Sequence, residues 1–374
     1  MKKTCRFIGI FMLFVTFILN SSGCMKKSEA EEIVIGVAWP FEANNSQFNE
    51  GIDMAVKEIN ESGGINGKEL KLLKMDDNSE VTKGIAVSES LSENELVRAV
   101  IGHRSSYVSI PASEIYEEAG LVMLSPASTA PELIRKEHQN IFRIIPSDDV
   151  IACKVAEYLA GQNIKRMVIY YSEDSYGEGL ANSFEDQAKS HGITIVDRIS
   201  YYSDAEELTR LHSRWEAFGF DGIFIATSMS GGGRFLRDAE QCGINVPFAA
   251  GNTLDSPELS SIGEAAAEGI VIGSVFDPYE GSQQVESFVD NFMKLYGQAP
   301  GNYAALGYDA VKILAAAIDN TDKSDRESVA EGLRSLGSFT GVCGVHEFSD
   351  IGEDLGDLVV LKQLQEGTFV CLEK

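Results

Sequence analysis

From residue 33 onward, short apolar runs of strand length alternate with stretches whose apolar residues recur every three or four positions. That is the pattern of βαβ units around a parallel sheet covered on both faces. Residues 33–37 predict a buried strand, and the helix after it carries Phe48, Ile52, Ala55, Val56 and Ile59 on one face before Gly63-Gly64 stops it. Strands at 70–75, 97–101 and 121–124 follow, with helices near 80–92 and 108–119. A second series begins after Pro146: helix 148–159, strand 167–170, helix 183–189, strand 193–199, helix 206–217, strand 223–226, helix 234–241, then strands 246–249 and 270–275. Helices at 285–296, 303–318 and 326–336 come next, and short strands near 342–348 and 358–364 end the pattern. The even repeat breaks at 125–147 and 274–284. The expected fold class is therefore α/β, with two doubly wound parallel-sheet lobes rather than one eight-fold barrel.

Composition narrows the function. The chain of 374 residues is 44% hydrophobic and 24% charged with a formal net charge of −26, the profile of a globular protein of about two domains. So acidic a field repels phosphate backbones, and no Lys/Arg cluster with interleaved aromatics offsets it, which excludes nucleic acid as a partner. The first residues differ. Lys2, Lys3 and Arg6 precede an apolar run from Phe7 to Leu19 and the small polar residues Asn20, Ser21, Ser22 and Gly23, a secretory signal over residues 1–23. Cys24 directly after Gly23 resembles the lipobox of bacterial lipoproteins, although Ser21 stands where Leu is usual; the resemblance implies acylation at Cys24, with 24–32 as the linker to the lipid. A plain secretory signal with an incidental cysteine is the other reading. No later stretch is apolar and long enough to span a bilayer. Of the remaining Cys153, Cys242, Cys343 and Cys371, the pair Cys343–Cys371 is the best disulfide candidate in an oxidising compartment; free thiols are the alternative.

In open parallel sheets, ligands lie beyond the carboxyl ends of the strands. The loops expected there read Gly102-His103-Arg104-Ser105-Ser106-Tyr107 and Ser125-Pro126-Ala127-Ser128-Thr129. Hydroxyls beside helix N-termini suit a carboxylate, and the same residues also serve as ordinary helix caps. In the second lobe, Tyr176-Gly177-Glu178-Gly179-Leu180 lacks the third glycine of a dinucleotide fingerprint, and Tyr176 suits a lid over a small ligand. Ser228, before three glycines, either approaches a ligand or sits in a turn. No nucleophile elbow, phosphate-binding loop, zinc-protease motif or Cys-x-x-Cys is present, and His103, His138, His191, His212 and His346 are scattered. The expectation is binding without catalysis, metal or cofactor.

At these residues the chain resembles the bacterial branched-chain amino acid binding proteins of ABC transporters, which have the type I periplasmic binding fold. The resemblance runs through Ala55-Val56-Lys57-Glu58-Ile59-Asn60, Gly63-Gly64-Ile65-Asn66-Gly67, Ile115-Tyr116-Glu117-Glu118-Ala119-Gly120, Ser125-Pro126-Ala127-Ser128-Thr129-Ala130-Pro131-Glu132-Leu133, Tyr176-Gly177-Glu178-Gly179-Leu180-Ala181 and Gly307-Tyr308-Asp309-Ala310-Val311. It implies two lobes joined by three crossovers, the first of residues 33–146 plus 277–345 and the second of 147–276 plus 346–374. It implies that Ser106, Ala127 and Thr129 hold a ligand carboxylate, that Ala127 and Thr129 also receive its ammonium, and that Tyr176 closes over it. Trp39 and Phe48 would be apolar walls, with Ser105 beside them. Two residues depart from the family. Asn252 stands where an acidic residue faces the ammonium, so that either Asp255 substitutes or the ligand is not an ordinary α-amino acid. Arg104 stands where an apolar residue is expected, and either pairs with an extra ligand carboxylate or faces solvent. The function implied is an extracytoplasmic, lipid-anchored receptor that hands a small amino-acid-like, amide or carboxylate ligand to an ABC permease; a sensor of the same fold, signalling to a membrane partner, is the alternative.

Overall fold

The computed structural model describes residues 32–42, 47–135, 138–321 and 325–372. The expected signal segment, Cys24 and nearly all of the expected 24–32 linker lie outside them. Two sheets organise the rest. Strands β1 (Ile33–Trp39), β2 (Leu70–Asp76), β3 (Val97–Gly102), β4 (Val122–Ser125) and β5 (Ile141–Arg143) form a wholly parallel sheet in the order β2-β1-β3-β4-β5. Strands β6 (Arg166–Tyr171), β7 (Thr194–Ile199), β8 (Gly222–Ala226), β9 (Phe248–Ala250) and β10 (Val271–Ser274) repeat that order as β7-β6-β8-β9-β10. An antiparallel pair, β13 (Val360–Gln365) and β14 (Thr368–Cys371), extends the β10 edge. Between β10 and β13 in sequence, β11 (Phe339–Thr340) and β12 (Val345–His346) form a separate two-stranded ribbon.

Both faces of each sheet are buried, which is why the strands read as near-continuous apolar runs. On β3 and β4, Ala99, Ile101, Val122 and Leu124 pack toward helices Phe48–Glu61 and Asn302–Asp319, whereas Val97, Val100 and Met123 pack toward Val87, Leu91 and Tyr116 of helices Val81–Glu93 and Ser106–Glu118. The second sheet is covered in the same way, with Val168, Ile223 and Ile225 on one face and Met167, Ile169 and Phe224 on the other. The chain passes between the lobes three times, at 144–147, 275–282 and 347–359, because helices Gln283–Tyr296, Asn302–Asp319 and Arg326–Ser335 return to the first core. Among the described residues no helix is long and apolar enough to cross a membrane.

Several elements differ from the pattern-based expectation. Helix Ser175–Ser190 starts well before residue 183, because Asp174 caps it by accepting from the N–H groups of Tyr176 and Gly177 at 3.0 and 2.9 Å; the Tyr176 segment is helix, not loop. Helix Met229–Gln241 likewise starts early, its three glycines being packed by Thr227, Leu254 and Ile262 where Cβ atoms would sit. The run 342–348 is not one strand, since the N–H groups of Val342 and Cys343 donate to Asp309 instead of to a ladder. The expected Cys343–Cys371 disulfide is absent and all four described cysteines are free thiols. Burial pushes the thiol pKa of Cys343 well up and that of Cys371 to about 12, and each thiol faces a carboxylate, Asp309 and Asp277 respectively.

Candidate functional site

The order β2-β1-β3-β4-β5 reverses between β1 and β3, and a cleft opens at such a switch point. Around it stand Trp39 at the end of β1, Arg104 to Ser106 after β3, and Ala127 to Thr129 after β4. Gly102 (φ +153°) lets β3 approach β1, since a Cβ there would lie 2.5 Å from the Ala38 carbonyl. Ser128 ties the two loops together through hydrogen bonds to Ser109 Oγ (2.5 Å) and the carbonyls of His103 (3.3 Å) and Arg104 (3.4 Å). Ser106 Oγ accepts from the Ala130 N–H at 3.3 Å, which leaves its hydroxyl proton to donate. The first N–H groups of its helix have no intrahelical partner. Beneath the second loop, Arg143 donates to the Thr129 and Ala130 carbonyls, both at 3.0 Å, and forks onto Glu353 at 2.8 and 2.6 Å. Thr129 Oγ1 is fully buried and unpartnered.

Opposite stands a wall of acceptors. Asp148 begins helix Asp148–Gly161, 0% exposed, its N–H bound to the Thr129 carbonyl at 2.9 Å, and neither carboxylate oxygen accepts a hydrogen bond. Burial raises its pKa to about 7, only partly opposed by the nearby Thr129 hydroxyl and Arg143 charge, while Asp149 and Glu132 push it up further. Tyr176 OH lies 2.9 Å from Thr253 Oγ1, whose single proton goes to the Thr227 carbonyl at 2.8 Å, so Tyr176 donates to Thr253 and turns its lone pairs toward acceptor duty. Burial first, then the Asp148 charge, hold that phenol well above its usual pKa. Asn252, in a short 3₁₀ turn after β9, is buried with its Oδ1 unpartnered. Buried acceptors without donors favour a cation, and an ammonium is the cation that supplies several N–H groups at once.

The other end of the cleft carries donors. Trp39 stacks on Phe48 with ring centroids 3.7 Å apart and meets Tyr303 edge-on at 5.8 Å. Arg104, half-buried, lies over the Tyr303 ring at 5.2 Å. Buried and unpartnered are Trp39 Nε1, Arg104 Nε and Asn302 Nδ2. Tyr303 in turn adds to what opposes the ionisation of Tyr176.

The structure thus brings together Ser106, Ala127, Thr129, Tyr176, Asn252, Trp39 and Arg104. Phe48 sits behind Trp39 as core, and Ser105 Oγ turns to Ser79 Oγ at 3.2 Å. Ser228 is exposed, its hydroxyl accepting from the Gly231 N–H as a helix cap, and it does not join the group. Asp255 does not replace the missing acid: it is bound to Lys362 Nζ at 2.9 Å and to the Ser274 hydroxyl. Sequence reasoning missed Asp148, Asn302 and Tyr303. An acid in the first turn of a helix carries no distinguishing signal, since it commonly serves the helix dipole.

The family model described as periplasmic binding protein matches residues 32–355. The chain is similar to an amino acid binding protein of Pseudomonas aeruginosa, 28% identical and covering 96% of this chain and 97% of that protein. It is also similar to a leucine-, isoleucine-, valine-, threonine- and alanine-binding protein of the same organism, 27% identical over 86% of this chain and 88% of the relative. Among solved structures, an ABC transporter substrate-binding protein from Desulfitobacterium hafniense in complex with Leu is 51% identical with a TM-score of 0.86, covering 91% of this chain and 100% of that one.

Proposed function

Because the chain belongs to the periplasmic binding protein family, we propose that it captures one α-amino acid between its two lobes and delivers it, from an extracytoplasmic position, to the permease of an ABC importer. The observation that carries this reading is the polarised cleft. The unpartnered oxygens of Asp148 and Asn252, with the Tyr176 phenol, suit an ammonium, and the Ser106 hydroxyl and helix N-terminus suit a carboxylate. A ligand that carries both charges satisfies both walls at once. In this reading Asp148 supplies the counter-charge that Asn252 lacks. The leucine held by the Desulfitobacterium hafniense protein supports an α-amino acid as the ligand class. The lobes close on the ligand, and the closed form is the one the permease receives. Acylation at Cys24 tethers the protein to the membrane. A thermal-shift screen of ligand-stripped protein against the twenty amino acids, their decarboxylated amines and their deaminated acids tests the ligand class. At least one amino acid should raise Tm by several degrees at a hundredfold excess over Kd, on the order of 2.7 kcal/mol of stabilisation. Its amine and its deaminated acid should do little, and a shift from the acid alone would show that the acceptor wall takes no ammonium.

A further inference from the structure

Three buried N–H donors on residues that touch or adjoin Tyr303 have no acceptor: Arg104 Nε, Trp39 Nε1 and Asn302 Nδ2. Trp39 is 1% and Asn302 2% exposed, so neither N–H is hydrated from bulk solvent. The Trp39 and Tyr303 rings are 5.8 Å apart, the Arg104 guanidinium lies 5.2 Å over Tyr303, and Asn302 immediately precedes it, its Oδ1 accepting from the Tyr303 N–H at 2.8 Å. Among the described residues no carboxylate pairs with Arg104, whose charge rests on the Tyr303 ring. A guanidinium cannot shed its proton to escape such a place. Donors left unmatched in this way call for oxygen.

The amino acid proposed above already has partners for its two charges, the acceptor wall of Asp148, Asn252 and Tyr176 for the ammonium and the Ser106 end for the carboxylate. The Tyr303 donors are surplus to both. Resting on that reading, we infer that they form a side-chain subsite that selects amino acids whose side chain ends in an oxygen acceptor, a carboxylate or an amide, over hydrocarbon side chains of the same shape. A leucine methyl placed there would complete the desolvation of Arg104, Trp39 and Asn302 and return no hydrogen bond. An oxygen in the same position would accept from Arg104 with charge assistance, and from whichever of the other donors lies within its reach. Arg104 would then act as a specificity residue.

Calorimetric titration of ligand-stripped protein with leucine, asparagine, aspartate, glutamine and glutamate tests this. Leucine, asparagine and aspartate branch at the same carbon, so they differ mainly in methyl against oxygen. At least one of the four oxygen-bearing amino acids should bind at least tenfold tighter than leucine, and the order of acids against amides tells whether charge or hydrogen bonding dominates. Arg104→Met, which keeps the unbranched stem over Tyr303, should lower that preference at least tenfold, and Arg104→Lys should retain part of it. Leucine binding as tightly as or tighter than all four would overturn the inference while leaving the amino-acid reading in place. So would an Arg104→Met protein weakened equally toward leucine and the preferred ligand, because Arg104 would then serve the α-carboxylate. Binding of none of the five would also overturn this inference, whereas the amino-acid reading falls only if none of the twenty stabilises the protein.

Discussion

A carboxylate buried without a hydrogen bond is costly as an anion, and Asp148 holds its proton up to about pH 7 for that reason. Its pKa is raised above the unfolded value, so the folded state binds this proton more tightly than the unfolded chain does. The contribution to stability is full at low pH and is lost as pH rises from about 4 through 7. Above that range the ionised group costs on the order of 4 kcal/mol. Asp148→Asn, which removes the charge, should therefore raise the Tm of ligand-free protein by several degrees at pH 8 and have little effect at pH 4. The same change should weaken amino acid binding by at least a hundredfold at pH 8. In the wild type, affinity should fall by up to tenfold per pH unit below 7, and in Asp148→Asn that slope should vanish. Unchanged affinity in the variant would remove Asp148 from the ammonium site. Ser106, Thr129 and Tyr176 were readable from sequence because hydroxyls and an aromatic stand out beside strand ends. Asp148 was not, because what distinguishes it is the lack of partners, and that is a property of packing.

At the scale of elements, the third passage between the lobes is held by a buried ionic cluster. His346 of β12 lies between Asp354, 2.5 Å from Nδ1, and Asp309, 3.4 Å from Nε2, and is fully buried. Burial pushes the imidazole pKa down, but the hydrogen bonds and charges of Asp309 and Asp354 outweigh it and set the value at about 9. Asp309 also receives the Val342 and Cys343 N–H groups, at 2.9 and 2.8 Å, so one charged histidine fixes the strand ribbon to helix Asn302–Asp319. The pKa of this group is raised on folding; its stabilisation is complete below pH 6.5 and disappears as pH climbs through 9. It amounts to on the order of 3 kcal/mol. Melting curves from pH 6 to 10 should show Tm declining in the wild type, and the decline should flatten in His346→Gln, which starts from a lower Tm. Parallel curves would mean that His346 is neutral throughout. Strands and long helices were legible from periodicity, because both sheets are covered on both faces. Helix starts at Asp174 and Ser228 were not, since glycine-rich segments read as turns until their neighbours are known. The ribbon at 339–346 was hidden for a similar reason, the N–H groups of its turn residues Val342 and Cys343 going to a side chain.

Across the whole molecule, capture depends on how closely the lobes can meet, and one glycine stands where they do. Gly179, in the second-lobe helix Ser175–Ser190, faces Pro131 and Ala130 of the first-lobe loop, from which a Cβ built on it would lie 3.7 and 3.8 Å, and Asp148 Oδ2 of its own lobe, from which it would lie 3.2 Å. Alanine fits this space with slight adjustment; a branched side chain does not. Contact between the lobes is therefore purchased by the absence of a side chain at a helical position that otherwise disfavours glycine by about 1 kcal/mol. Gly179→Leu should leave the two cores intact, because the added atoms enter the cleft and neither sheet. It should nevertheless hold the lobes apart, weakening amino acid binding at least tenfold, while Gly179→Ala loses little. Small-angle scattering separates this from a local clash with the ligand. The wild type should become more compact when saturated with its amino acid, whereas Gly179→Leu at saturating ligand should keep the dimensions of the ligand-free protein. Full compaction in that variant would place the lobe contact elsewhere and assign any lost affinity to the site itself.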